Sequence, residues 1–130
     1  MFSHVMVGTN DPEQARKFYD ATFGALGIAG QHTPNGAFYG SHDSGMFGVT
    51  TPRDGQAATH ANGGTVGINA PNQQAVDAWH KAALDNGGSC EGPPGRRDMP
   101  GVNLYGAYAR DPVGNKLCAF CVLPEGQGQS

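Results

Sequence analysis

The chain has 130 residues, enough for one domain with a modest core and too few for a second independent one. A formal net charge of −3, with charged residues at only 15%, leaves no basic stripe for nucleic acid and no acidic run of the disordered kind, so small molecules or proteins are the expected partners. The opening MFSHVMVGTND lacks a basic segment followed by a long apolar run, and no stretch approaches the roughly 18–20 apolar residues that span a bilayer; the protein is read as soluble and cytoplasmic, with no membrane partner.

In chain order, the alternating run HVMVG at 4–8 predicts a strand with Val5 and Val7 packed on helices and His4, Met6 and Gly8 on the opposite face. Asn10 or Asp11 before Pro12 predicts a helix start, Ala15, Phe18, Tyr19, Thr22 and Phe23 recur at helical spacing, and Gly24 is expected to end the helix. Three short β-type runs follow, at about 26–33, 36–42 and 45–51, punctuated by glycines. Sliding the chain by 61 places HVMVGTNDPEQARKFYDATFGALG over TVGINAPNQQAVDAWHKAALDNGG, so the pattern starts again. Val66, Ile68 and Ala70 are then helix-facing, and Thr65, Gly67 and Asn69 face the other way. A second helix capped by Asn72 buries Val76, Trp79, His80, Ala83 and Leu84 and ends at Gly87-Gly88. Strands are expected at 89–93, 102–110 and 115–123, with residues 92–101, GPPGRRDMPG, as a loop; a shift of 69 matches Tyr39 to Tyr108 and Gly45 to Gly114.

The outcome is an α+β chain of two tandem βαβββ modules, about 1–61 and 62–123, forming a single domain over 1–124, with 125–130 as a disordered tail. Three cysteines do not suit a secreted disulfide framework. Cys118 and Cys121, three apart in a strand, point to opposite faces, with Cα atoms about 10 Å apart and beyond disulfide reach. Alternation sends Leu117, Ala119 and Cys121 to the helix layer and leaves Cys118 and Phe120 on the open face. No GxSxG, GxxxxGK or HExxH is present.

The turn DPVGNKL at 111–117, together with HVMVGTNDPEQARKFYDATFG at 4–24, resembles the vicinal oxygen chelate superfamily, which holds glyoxalase I, bleomycin-resistance proteins and extradiol dioxygenases. The resemblance implies a cupped mixed sheet with helices on its outer face, a homodimer, and a divalent metal held by a first-strand histidine and a glutamate just after the D-P-x-G-N turn. At the matching positions this chain has His4, about Val49, Thr65 and Cys118. Only His4 offers an imidazole, whereas hard-metal and 2-His-1-carboxylate sites need at least three converging donors. The expected function is therefore binding of a small molecule without the usual metal. The alternative is a glyoxalase-type lyase or isomerase, or a dioxygenase-like enzyme, with an atypical divalent metal site at His4.

Eight residues are candidates for holding the ligand. His4, Thr65, Cys118 and Phe120 follow from the open-face assignment, with a thiol–imidazole pair between Cys118 and His4 as one arrangement. Tyr39 and Tyr105 offer hydroxyls above flat rings. Arg96 and Arg97 fall where the resemblance implies an arginine near the cavity mouth, and their planar forks suit an anionic ligand carrying carboxylate or phosphate.

Overall fold

Each helix begins where a short polar side chain turns back on the backbone. Asp11 accepts from the amide of Gln14 at 3.2 Å with Pro12 in the first turn, and Asn72 accepts from Ala75 at 2.9 Å. The structure, a computed structural model, describes residues 1–124 apart from the side chains of Asp98 and Met99; the proposed tail at 125–130 lies outside the described residues. Its elements run β1 (His4–Gly8), α1 (Pro12–Ala25), β2 (Gly30–Thr33), β3 (Gly36–Ser41), β4 (Gly45–Thr50), β5 (Val66–Asn69), α2 (Gln73–Asp85), β6 (Ser89–Met99), β7 (Val102–Arg110) and β8 (Lys116–Val122). This is the α+β, twice-repeated βαβββ architecture. The strands form two four-stranded mixed sheets, ordered β1-β4-β3-β2 and β5-β8-β7-β6, in which β1 and β5 run parallel to their neighbours and the other pairs are antiparallel. No described helix is long and apolar enough to cross a membrane.

The core lies between the sheets and the helices, which also pack on each other. Ala15, Phe18, Tyr19, Thr22 and Phe23 are all buried on α1, as the spacing predicts. On α2 the buried set is Ala75, Val76, Trp79, His80 and Ala83, while Leu84 is exposed, one position past the buried stripe. Gly24 does not end α1; the helix runs to Ala25, and Gly27, at φ 75°, supplies the left-handed turn that releases the chain.

The modules are joined through a buried polar contact. Tyr19, on α1, donates to Asp111 Oδ2 at 2.5 Å, and Asp111 also accepts from the amides of Val113, Gly114 and Asn115 and from Asn115 Nδ2. The D-P-V-G-N turn is thus built around one carboxylate, with Gly114 at φ 108°.

Two expectations about the second module change. Residues 92–101 are mostly strand: β6 continues to Met99, and Gly95 through Met99 pair with β7 after register shifts between Cys90 and Gly92 and between Gly92 and Gly95. Pro93 and Pro94 survive there because β6 is an edge strand and the irregular stretch asks for fewer ladder bonds. The repeat in the later strands is offset by 70, not 69. Val5 pairs with Phe47 and Val66 with Leu117, so Phe47 matches Leu117, Val49 matches Ala119 and Tyr39 matches Ala109. A one-residue slip exchanges the faces of every side chain in the strand, so Tyr39 and Tyr108 are on opposite sides of their sheets.

Candidate functional site

Alternation along β1, β4 and β3 gives the first sheet two unlike faces. Val7, Phe47, Val49, Ala37 and Tyr39 turn to the helices, and His4, Met6, Met46, Gly48 and Phe38 turn away. The fourth-strand position matching Cys118 is therefore Gly48, since the offset of 70 carries Val49 into the core at 1% exposure. A Cβ at Gly48 would lie 2.5 Å from Met6 Sδ and 2.7 Å from the Phe38 ring, so no side chain fits there unless these move. His4 is exposed, and its Nδ1 shares a hydrogen bond of 2.8 Å with Ser3 Oγ.

A cavity of about 500 Å³ opens between this sheet and β5. His4, Val5, Phe47, Tyr39 and Phe23 line one side, and Val66, Gly67, Ile68 and Asn69 the other. The walls are more apolar than polar, with His4, Ser44 and Asn69 as polar lining residues. Tyr39 presents ring rather than hydroxyl: it stacks on Phe23 at 4.6 Å, and its hydroxyl donates to Asp20 at 2.7 Å. Burial, then the bond to Asp20, raises the Tyr39 pKa far above the usual phenol value. Thr65 is exposed just before β5 and is not part of this wall.

Cys118 and Phe120 lie on the adjoining open face of the second sheet. Cys118 Sγ sits 3.2 Å from where a Gly67 Cβ would be, and its cross-strand neighbour is Tyr108. Burial pushes the Cys118 thiol up to about 11, so at neutral pH it is a thiol, not a thiolate. Phe120 covers Gly106 and meets the Tyr108 ring edge to face at 5.5 Å. Gly67 is the junction, backing Cys118 on one side and bordering the His4 cavity on the other.

The arginines separate by the same alternation. Arg97 pairs with Leu104 and reaches over the open face, its guanidinium 5.8 Å from the Tyr108 ring centre; Lys116 lies 5.2 Å from the same ring. Arg96 pairs with Tyr105, is exposed, and donates to Asn103 Oδ1 at 3.2 Å. Tyr105 faces the helices opposite Cys121, and its hydroxyl donates to Asp77 on α2 at 2.6 Å. The structure thus gathers Cys118, Phe120, Arg97, Tyr108 and Lys116 on one face, with His4 and Tyr39 around the neighbouring cavity. Lys116 escaped the sequence reading, although it is two residues before Cys118 and alternation puts it on that face.

The donor set does not fit a divalent metal. At the four strand positions stand an imidazole, a glycine, a hydroxyl and a thiol, too few donors for a hard divalent ion. Among the described residues, no three His, Cys, Asp or Glu side chains converge.

The family model "Glyoxalase/Bleomycin resistance protein/Dioxygenase superfamily" matches residues 1–119. Among solved structures, a glyoxalase/bleomycin resistance protein from Albidiferax ferrireducens T118 is 54% identical, with TM-score 0.87 over 93% of this chain and 98% of that one. A glyoxalase-related enzyme from Fulvimarina pelagi is 21% identical, with TM-score 0.70 over 100% and 95% of the two chains. A lactoylglutathione lyase from Agrobacterium tumefaciens is 19% identical, with TM-score 0.60 over 93% and 92%. No match to a curated protein was found.

Proposed function

Because the chain belongs to the glyoxalase/bleomycin resistance protein/dioxygenase superfamily, we propose that it is a small-molecule-binding member that works without the divalent metal the resemblance implies. The observation that carries this reading is the donor set. Gly48 cannot bind a metal, and a carboxylate there would displace Met6 and Phe38. Thr65 offers only a hydroxyl and Cys118 a soft sulfur in place of the hard carboxylate the resemblance implies. His4 alone does not hold a metal against water. The His4 cavity, at about 500 Å³, is the size of a pocket for a small organic ligand and has the usual mostly apolar lining with a few polar groups.

We further read the protein as a cytoplasmic homodimer. Three free cysteines suit a reducing compartment. The outer sides of β1 and β5 are open sheet edges, and Met1, Phe2 and Met6 are exposed near β1, a combination that a second copy would cover. The enzyme reading is a glyoxalase-type lyase. It is favoured by one fold neighbour named as such, and it would have to draw its acid–base chemistry from His4.

Metal analysis of freshly purified, dialysed protein separates the two. The expected result is well under one equivalent of nickel, zinc, iron or manganese, no lactoylglutathione lyase activity after metal loading, and stabilisation by small organic ligands in a thermal-shift screen. One equivalent of metal that is retained through dialysis and lost in His4→Ala would overturn the metal-free reading.

A further inference from the structure

We propose that Cys90 and His80 form a thiol-modification site on the helix side of the second module, where His80 takes the proton of the Cys90 thiol and the sulfur exchanges with a small disulfide. Neither residue lines the His4 cavity, so the site stands apart from the ligand reading above.

The first argument is placement. Cys90 stands near the start of β6, an edge strand, and pairs with Ala109, which is fully buried in the core. Cys90 therefore faces α2, yet the open edge leaves it exposed. His80 comes from the buried stripe of α2, and its Nε2 lies 3.2 Å from Cys90 Sγ. Of the three thiols, only Cys90 is exposed, and among the described residues only Cys90 has an imidazole within hydrogen-bond reach. A nucleophile open to solvent is thus set against a base that is not.

The second argument is the cost of that base. His80 is 8% exposed, and a buried imidazole is expensive unless it is well bonded. Among the described residues its ring makes one hydrogen bond, to the Cys90 sulfur, which is a weak partner. Packing alone favours an apolar residue at this place in the stripe; the imidazole adds a proton acceptor beside a thiol. Burial lowers the His80 pKa, so at pH 7 the ring is in its neutral, accepting form. Asp77, one turn earlier on α2 and held by the Tyr105 hydroxyl, favours the positive charge that His80 gains with the proton. The other charged groups nearby on α2, β6 and β7 are paired with each other, Lys81 with Asp85 and Glu91 with Arg110.

In the exchange, the Cys90 S–H bond breaks toward His80 Nε2, the sulfur's electron pair forms a bond to one sulfur of the disulfide, and the old S–S bond breaks. The departing thiolate takes the proton from His80. Cys90 ends oxidised in a mixed disulfide, the departing half ends reduced as a thiol, and excess thiol reverses the step.

The test uses the full native chain and the neutral probe 2-hydroxyethyl disulfide, with adducts followed by intact mass. A single adduct is expected, absent in Cys90→Ser. At an ordinary thiol the rate follows the thiolate population and falls about tenfold from pH 7.5 to 6.5. With His80 as proton acceptor the rate at Cys90 should change by no more than about threefold over that range, since the ring is already neutral there. His80→Gln, and His80→Asn as a second variant, should restore the dependence of an ordinary thiol and slow the exchange at pH 6.5 by about tenfold or more. The wild-type profile decides by itself should neither variant fold.

A wild-type rate that falls about tenfold between pH 7.5 and 6.5 overturns the proposal. So does a folded His80 variant that reacts as fast as wild type at pH 6.5, which would leave His80 a packing residue only. An adduct that persists in Cys90→Ser would place the reactive thiol at Cys118 or Cys121 and overturn it as well. None of these results bears on the metal-free ligand reading, which the metal analysis decides.

Discussion

Replacing Tyr19 by phenylalanine removes one oxygen from a buried polar contact that joins the two modules. Tyr19 is 1% exposed and Asp111 5%, so the bond between them is made out of water. Asp111 keeps its other donors in the variant: the amides of Val113, Gly114 and Asn115 at 3.0, 3.0 and 2.8 Å, and Asn115 Nδ2 at 2.8 Å. The carboxylate is therefore not stranded, and the cost is that of a single hydrogen bond to a charged group, about 2 kcal/mol. For a chain of this size that is a fall of roughly 6–10 °C in Tm. Asp111→Ala should cost more, about 3–5 kcal/mol, because it leaves the tyrosine hydroxyl and the backbone N–H groups of Val113 and Asn115 without this acceptor together, while Gly114 N–H keeps the Asp111 backbone carbonyl at 2.9 Å and Asn115 Nδ2 keeps the Gly8 carbonyl at 3.5 Å.

Urea unfolding at pH 7 measures both, and the double variant should cost less than the two singles combined, since they share a partner. The contact also gives an alkaline signature. Burial, then the charge of Asp111, raises the Tyr19 pKa well above its ordinary value of 10.0. Above that pH the unfolded chain gives up the phenolic proton while the folded one keeps it, so stability is complete below pH 10 and declines as pH rises beyond it. Tyr19→Phe should remove that part of the decline. A Tyr19→Phe variant within 0.5 kcal/mol of wild type, with an unchanged alkaline slope, would refute the account of this contact.

Four further outcomes rest on burial and backbone geometry. Ellman's reagent at pH 8 should react rapidly with one thiol, the exposed Cys90, and with all three only in denaturant, because Cys118 and Cys121 are buried; two fast thiols in the native protein would contradict their placement. Gly36→Ala should cost at least ~3 kcal/mol in urea unfolding, since its Cβ would lie 1.7 Å from the Val49 carbonyl oxygen and would have to part β3 from β4. Gly24→Ala, on an exposed helix position with nothing within 4 Å, should gain about 0.5–1 kcal/mol; the opposite order would show that the β3–β4 register is wrong. Burial lowers the His80 pKa, only partly opposed by Asp77, so the unfolded chain takes up a proton near pH 6.5 before the folded one does. Stability should then fall as pH drops from 7 to 5, and His80→Asn should flatten that slope in pH-dependent melting curves.

The first module was legible because its signals are local. Asp11-Pro12, the α1 stripe ending at Phe23 and the alternation of Val5 and Val7 each need only a few neighbouring residues to be read. The faces of β5 and β8 followed for the same reason. What failed needed partners distant in sequence. GPPGRRDMPG carries the composition of a loop, and only pairing with β7 makes it a strand; once it is one, alternation separates Arg96 from Arg97 at once. The repeat offset in β3 and β4 could not be fixed by matching Tyr39 to Tyr108, because tyrosine suits a core or an open face equally well and the hydrogen-bond ladder, not residue identity, sets register. The Tyr19–Asp111 contact spans 92 positions and has no sequence signature on the tyrosine side.

The irregular course of β6 bears on how the protein behaves at high concentration. A sheet ends in a row of free amides and carbonyls, and a long, flat, regular edge invites strands from any passing chain. Along β6 the register breaks twice within a few residues, and Pro93 and Pro94 remove two donors from the sequence that would have to pair. An incoming strand would find matched partners only in short stretches. The same segment that resists recognition as a strand when read by composition also resists being used as one by another molecule, and regularising it, by replacing both prolines with valine or threonine, would create a smoother edge at the cost of solubility.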